Sequence, residues 1–205
     1  MLIGDSYAKD LTNVVFESQL INNIQISTHY ISRSCGNLSQ RFDLNKYIPK
    51  EDISACIRNG WYGQKSIQPQ LIKADEIWLA SDWPYWTAEK LNETIDNLQS
   101  KYKKKVFVFG VKDFGEIRPK ELIRIPYKER MNLKQSALTE KIINNYMREK
   151  ISSDNYIDLM RLYCDENYKC TLFNKHGELL SYDGGHLTKS GAAFLGSELE
   201  PILIK

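Results

Sequence analysis

The residues best placed by type and spacing to do chemistry are a serine near the start of the chain and an aspartate–histidine pair near its end. Tyr182-Asp183-Gly184-Gly185-His186-Leu187-Thr188 sets a carboxylate and an imidazole three positions apart, with two glycines between them. Glycine adopts backbone angles that other residues resist, so Gly184-Gly185 can turn Asp183 and His186 toward one side. Such a pair is a base and its orienter, and it lacks a nucleophile. Leu2-Ile3-Gly4-Asp5-Ser6-Tyr7 supplies one. It reads as the end of a buried strand, a tight turn, and a serine opening a helix. A helix N-terminus carries partial positive charge, which favours negative charge developing beside Ser6. A serine hydroxyl is a weak nucleophile until a neighbouring base takes its proton. With His186 as base and Asp183 holding the imidazole, the chemistry is acyl transfer through an acyl-serine, the logic of a Ser-His-Asp triad.

The elements that must position these residues alternate along the chain. Apolar spacing over Ala8, Leu11, Val14 and Val15 predicts a helix from Tyr7 to Ile21. A second strand is expected over Ile24 to Ile31, a short helix over Glu51 to Asn59, and a third strand over Glu76 to Ala80. A helix from Thr87 to Lys103, with Thr87 as its cap, leads to a strand over Val106 to Gly110. That strand is an unbroken apolar run, as a sheet covered on both faces requires. Lys112 to Leu133 reads as irregular, Gln135 to Lys150 as a helix, and Tyr156 to Leu159 as a fifth strand. Thr188 is a cap for a last helix with Ala192, Leu195 and Leu199 on its apolar side. This alternation predicts an α/β fold, a three-layer α/β/α sandwich with a central, mainly parallel five-stranded sheet of flavodoxin-like kind. In such sheets the site lies beyond the C-terminal ends of the strands. Ser6, Gly36 and Ser81-Asp82 all fall there.

Gly4-Asp5-Ser6-Tyr7 with Asp183-x-x-His186-Leu187-Thr188 resembles the first and last blocks of the SGNH (GDSL-like) hydrolase superfamily. The chain is most similar to the extracytoplasmic SGNH domain fused to membrane acyltransferases that O-acylate bacterial surface polysaccharides. Cys35 in the second block, Leu79-Ala80-Ser81-Asp82-Trp83, and a short Cys-to-Cys loop before the last block strengthen the likeness. The resemblance covers nearly the whole chain, residues 1–205, as one domain. It implies acetyl transfer to or from a cell-surface glycan, with an acyl donor and a glycan acceptor as partners and no cofactor. A fused transmembrane acyltransferase domain would supply the acyl groups, and the location would be periplasmic or extracytoplasmic, membrane-tethered in the full-length protein. It also implies Cys35–Cys56 and Cys164–Cys170 as disulfide pairs. Four reduced thiols remain the alternative, and the irregular cysteine spacing argues against zinc.

Acyl transfer needs donors for the oxyanion, and removing one commonly costs about 3–4 kcal/mol of barrier. The backbone N–H groups of Ser6 and Gly36 are candidates. The superfamily usually adds an Asn from a G-x-N block, where this chain reads Ala80-Ser81-Asp82. An ionised Asp82 only accepts hydrogen bonds and would repel an oxyanion. Asn37, Ser81 and the Trp83 indole N–H are the remaining donors. Trp83 and Trp86, with Ser81 beside them, form either a platform for a sugar ring or packing at the rim. The alternatives to transfer are a stand-alone carbohydrate esterase or deacetylase and a non-catalytic glycan-binding module.

Composition narrows the classes further. A net charge of +2 gives no argument for nucleic acid, and the Lys101 to Lys105 cluster reads as the solvated end of a helix. No stretch is long and apolar enough to span a membrane. The nucleophile block begins at residue 4, so no signal peptide is expected in these residues. A first strand of only Met1 to Ile3 points to a fragment cut from a longer protein. Asp113-Phe114-Gly115 matches the kinase triplet without the loops that give it meaning. His29 and His176 read as structural, His176 in a hairpin turn before Gly177.

Overall fold

The structure, a computed structural model, describes residues 1–59 and 62–204. The chain divides into two compact units. The first comprises Met1–Lys9, Ile26–Gly110 and Asn145–Ile157; the second comprises Asp10–Gln25, Val111–Asn144 and Asp158–Lys205.

The first unit is built on a five-stranded sheet. Its strands are β1 (Leu2–Gly4), β2 (Thr28–Tyr30), β3 (Glu76–Ala80), β4 (Lys105–Phe109) and β6 (Tyr156–Ile157). β5 (Lys134–Ser136) and β7 (Lys169–Thr171) pair elsewhere. The sheet order is β2-β1-β3-β4-β6, and every pairing is parallel. The α/β class and the five-stranded parallel sheet are therefore as the sequence predicts. β1 is buried throughout, as are Ile77 to Ala80 of β3 and Val106 to Phe109 of β4, which is why these runs are continuously apolar. Strand order reverses at β1, with β2 on one side and β3 on the other. This is a topological switch point, where open α/β sheets offer a crevice beyond the strand ends. Ser6 leaves β1 and Ser81-Asp82 leaves β3 at that place. The helix Leu91–Tyr102 buries Leu91, Ile95 and Leu98, the face its spacing predicts.

The second unit has β5 and β7 as an antiparallel ribbon, with Gln135 opposite Cys170. The helix Lys189–Leu203 is capped by Thr188, whose side chain accepts from the Gly191 N–H. Its Gly196 lies against Ser18, where any side chain would collide. His176 sits in the expected turn, where the Asn174 carboxamide oxygen accepts from the N–H groups of His176 and Glu178.

The second and fifth strands are shorter than expected, Thr28–Tyr30 and Tyr156–Ile157, and three helices differ more from the sequence reading. The first helix stops at Phe16 rather than Ile21. Ser18 then caps a separate 3-10 turn, Gln19–Asn22, by accepting from the Leu20 N–H. The expected Thr87–Lys103 helix is two helices, Tyr85–Ala88 and Leu91–Tyr102. Thr87 is buried inside the first, and its hydroxyl donates to the Pro84 carbonyl at 2.7 Å, so it caps nothing. The expected Gln135–Lys150 helix is only Lys141–Lys150. Gln135 is drawn into the ribbon, and its side chain donates to the Glu116 carbonyl at 2.7 Å.

Candidate active site

In the first unit, Ser6 is an exposed residue between a buried Asp5 and a buried Tyr7. Gly4 makes that turn possible. Its φ of +155° suits glycine, and a Cβ there would overlap the Ala80 carbonyl of β3. Asp5 closes the turn. Its carboxylate accepts from the Tyr7 N–H at 2.9 Å, capping the helix Ser6–Phe16, and from the Asp82 N–H at 3.0 Å. One buried carboxylate thus fixes both the nucleophile turn and the loop after β3.

The other predicted residues of this unit fall into two groups. Gly36 follows the 3-10 turn Arg33–Cys35, and its N–H closes that turn on the Arg33 carbonyl at 3.2 Å. A side chain at position 36 would collide with Trp86, so the glycine lets the ring pack against the loop. Cys35 is bonded to Cys56, which ties the loop to the helix Lys50–Asn59. Asn37 is buried and fully engaged. Its amide donates to the Ile3 carbonyl at 2.9 Å and the Ser81 hydroxyl at 3.2 Å, and its oxygen accepts from Tyr62 at 2.5 Å. Trp83 is wholly buried, with its indole N–H on the Phe109 carbonyl at 2.8 Å. Asn37, Ser81 and Trp83 are therefore bonded within the fold, and Trp83 presents no face to solvent. Trp86 is half-buried and stacks on Tyr47 at 4.8 Å, beside Phe42.

Arg33 is the residue that the sequence reading passed over. Its Nε lies 2.6 Å from the Asp82 carboxylate, with Arg33 more than half exposed. Arg33 stands two residues before Cys35.

In the second unit, Asp183 holds His186 at two points and Gly185 at a third. Its Oδ2 meets the imidazole Nδ1 at 2.8 Å, and its Oδ1 accepts from the backbone N–H groups of Gly185 at 2.9 Å and His186 at 2.7 Å. A carboxylate only accepts, so Nδ1 is the donor and in a neutral imidazole Nε2 is the nitrogen without a proton. Burial pushes the Asp183 carboxyl up, but the backbone and side-chain bonds from His186 and the Gly185 N–H outweigh it. The carboxyl is held below its ordinary value. The loop is closed from beneath by Ser181, whose hydroxyl donates to the His186 carbonyl and accepts from the Gly184 N–H. Tyr182 stacks on the imidazole at 5.9 Å.

The loop rests on a segment whose role its sequence did not reveal. The Phe114 N–H donates to the Gly184 carbonyl at 2.8 Å. Gly184 has a φ of +99°, and a Cβ there would overlap the Gly115 carbonyl. Phe114 stacks on Tyr163 at 4.2 Å, and the Tyr163 hydroxyl accepts from the Asp113 N–H at 3.0 Å. Burial pushes the Tyr163 hydroxyl far up, so it stays protonated. Asp113-Phe114-Gly115 is thus a support for the histidine loop. Cys164 and Cys170 are disulfide-bonded nearby in sequence, and both pairings implied by the resemblance are present. Among the described residues no cluster of His, Cys, Asp and Glu could hold a metal ion, and no helix is long and apolar enough to cross a membrane.

The arrangement within each unit suits acyl chemistry: an exposed serine at a helix N-terminus, and an imidazole held in one tautomer by a carboxylate. Comparison with known proteins agrees on the fold. Among solved structures, the chain is similar to the periplasmic domain of a lipopolysaccharide acetyltransferase of Salmonella ser. Paratyphi A. The TM-score is 0.61 at 18% identity, covering 99% of this chain and 82% of that one. No curated protein matches by sequence. A family model described as the SGNH domain fused to AT3 domains matches residues 1–201. The chain therefore belongs to the SGNH domain family that occurs fused to AT3 domains.

Proposed function

We propose that this chain is the acyl-transferring domain of a surface-polysaccharide O-acetyltransferase, acting through an acyl-Ser6 intermediate. The observation that carries the reading is the hold of Asp183 on the His186 imidazole and backbone, because it leaves Nε2 as the basic nitrogen. His186 takes the Ser6 proton as the Ser6 oxygen attacks an ester carbonyl. The Ser6 N–H at the helix N-terminus meets the oxyanion, and Asp183 stabilises the imidazolium. Collapse expels the donor alcohol with the proton from His186 and leaves acyl-Ser6. A sugar hydroxyl then gives its proton to His186 and takes the acyl group. Water in place of the sugar gives an esterase.

The domain it resembles is named as periplasmic, and two disulfides fit an oxidising compartment. We place this chain there too, joined through its family's AT3 fusion to a transmembrane acyl supplier. Trp86, half-buried on Tyr47, offers ring surface for the glycan.

A second reading has one observation in its favour. Asn37, Ser81 and Trp83 are all bonded within the fold, which leaves the site poor in side-chain oxyanion donors. A glycan-binding module would need none. Release of p-nitrophenol from p-nitrophenyl acetate, with Ser6→Ala alongside and both shown folded, separates the two. The acyl-serine reading expects release by the parent alone. Equal background rates, with glycan binding seen by calorimetry, would replace it by the binding module.

A further inference from the structure

The second unit contains a buried ion pair that the proposed mechanism does not use. The Lys112 ammonium lies 3.1 Å from the Asp10 carboxylate, with the two side chains 0% and 8% exposed. The same Asp10 oxygen accepts from the Leu187 N–H at 3.3 Å. Leu187 follows His186 and is bridged to Ser181, the residue that closes the loop from beneath. Asp10 stands four residues after Ser6 on the helix Ser6–Phe16, one turn along. Lys112 begins the segment whose Phe114 holds Gly184. One carboxylate therefore binds three parts of the chain: the helix that begins at Ser6, the supporting segment, and the residue after the histidine.

Stability alone does not account for such a pair. Two charges lose their hydration on burial, and replacing a buried pair by apolar residues of similar volume is often neutral or stabilising. What a carboxylate at position 10 provides, and an apolar residue does not, is an acceptor at a fixed point for the Leu187 N–H. Lys112, 3.1 Å away, stands opposite that carboxylate as its countercharge inside the protein.

We propose that Asp10 and Lys112 are positioning residues for His186. Asp10 anchors the Leu187 N–H and so fixes where the histidine loop ends, and Lys112 supplies the countercharge. The proposal rests on His186 being the base of the reaction, and its test includes a readout independent of that reaction.

Two neutral double variants separate anchoring from bulk stability. Asp10→Asn/Lys112→Met keeps a carbonyl oxygen for Leu187 and leaves no unpaired charge. Asp10→Leu/Lys112→Met has similar bulk and no acceptor. Should the leucine variant not fold, Asp10→Ser/Lys112→Met, whose hydroxyl is too short to span to Leu187, is read in its place. Each is measured for p-nitrophenyl acetate turnover and for the nitrogen-correlated NMR signals of His186. The chain has only three histidines, so these can be assigned by substitution. Loss of about 1 Å in placement commonly costs about 100-fold in rate. The expected result is a kcat lowered about 100-fold at unchanged KM in the leucine variant, with altered His186 signals. The asparagine variant should keep most of the parent's kcat and its signals. A folded leucine variant with the parent's kcat and the parent's His186 signals would overturn the proposal. If the parent has no turnover, the acyl-serine reading fails, and the His186 signals alone decide the anchoring.

Discussion

Asn37 gives the sharpest contrast between a structural and a catalytic role. Its side chain joins β1, the loop after β3 and Tyr62 through bonds of 2.9, 3.2 and 2.5 Å, all buried. Asn37→Ala removes three hydrogen bonds, each with a net contribution of about 1 kcal/mol. It also leaves the Tyr62 hydroxyl buried without that acceptor, at a cost of about 1–3 kcal/mol. Together these give a loss of about 4–6 kcal/mol. For a domain of this size each kcal/mol lowers Tm by about 2–4 °C, so the melt should move by about 8–24 °C. Adding Tyr62→Phe removes the stranded hydroxyl and should recover about 1–2 kcal/mol of that loss. Thermal melts and urea titrations of the parent, the single variant and the double variant measure all three values. Turnover per folded molecule should change much less than stability. The reasoning would be refuted by an Asn37→Ala variant within about 1 kcal/mol of the parent whose kcat falls about 100-fold, because the amide would then be an oxyanion donor.

Other consequences follow from the buried hydroxyls, the low Asp183 carboxyl and the disulfides. Tyr163→Phe strips the Asp113 N–H of its buried acceptor and should destabilise the fold by about 1–3 kcal/mol, read by urea titration. Asp183 is held below its ordinary value, so its contribution is complete above about pH 4 and is lost as pH falls through the lowered value. Amide exchange at Gly185 and His186 should accelerate in that acid range. Burial pushes the Tyr62 and Tyr163 hydroxyls up, so their contribution is complete below about pH 10 and declines above it. Alkaline melts should show that decline, and Tyr62→Phe/Tyr163→Phe should flatten it. Replacing Cys35 and Cys56 by serine opens a loop of 21 residues and should cost about 3 kcal/mol, against about 2 kcal/mol for the six-residue separation of Cys164 and Cys170.

Much of the fold was legible because its signals are local. β4 announces itself as an apolar run, Thr188 as a cap with an apolar face behind it, and Gly4 as a turn between strand and helix. The misread elements were decided by contacts that spacing does not show, one with a partner distant in sequence and one three residues away. Gln135 looks helical until Lys169–Thr171 lies opposite it, and Thr87 looks like a cap until its hydroxyl meets the Pro84 carbonyl. In the candidate site, Asp183 and His186 could be paired from their spacing and the glycines between them. Arg33, Phe114 and Asp10 could not be given their roles in that way. Their contacts with Asp82, Gly184 and Leu187 span 49, 70 and 177 positions, and no local pattern marks such a contact. The two cysteine pairings came from family likeness, since four cysteines alone allow three connectivities.

The central claim is that Ser6 carries the acyl group. Its most direct test is the mass of the Ser6 peptide after rapid acid quench of the chain with p-nitrophenyl acetate. The account predicts one added acetyl group on Ser6 in the parent, none in Ser6→Ala, and a greatly slowed appearance in His186→Ala. An unmodified Ser6 peptide from folded protein that still releases p-nitrophenol, or acetyl groups scattered on lysines at equal rates in all three, would contradict it.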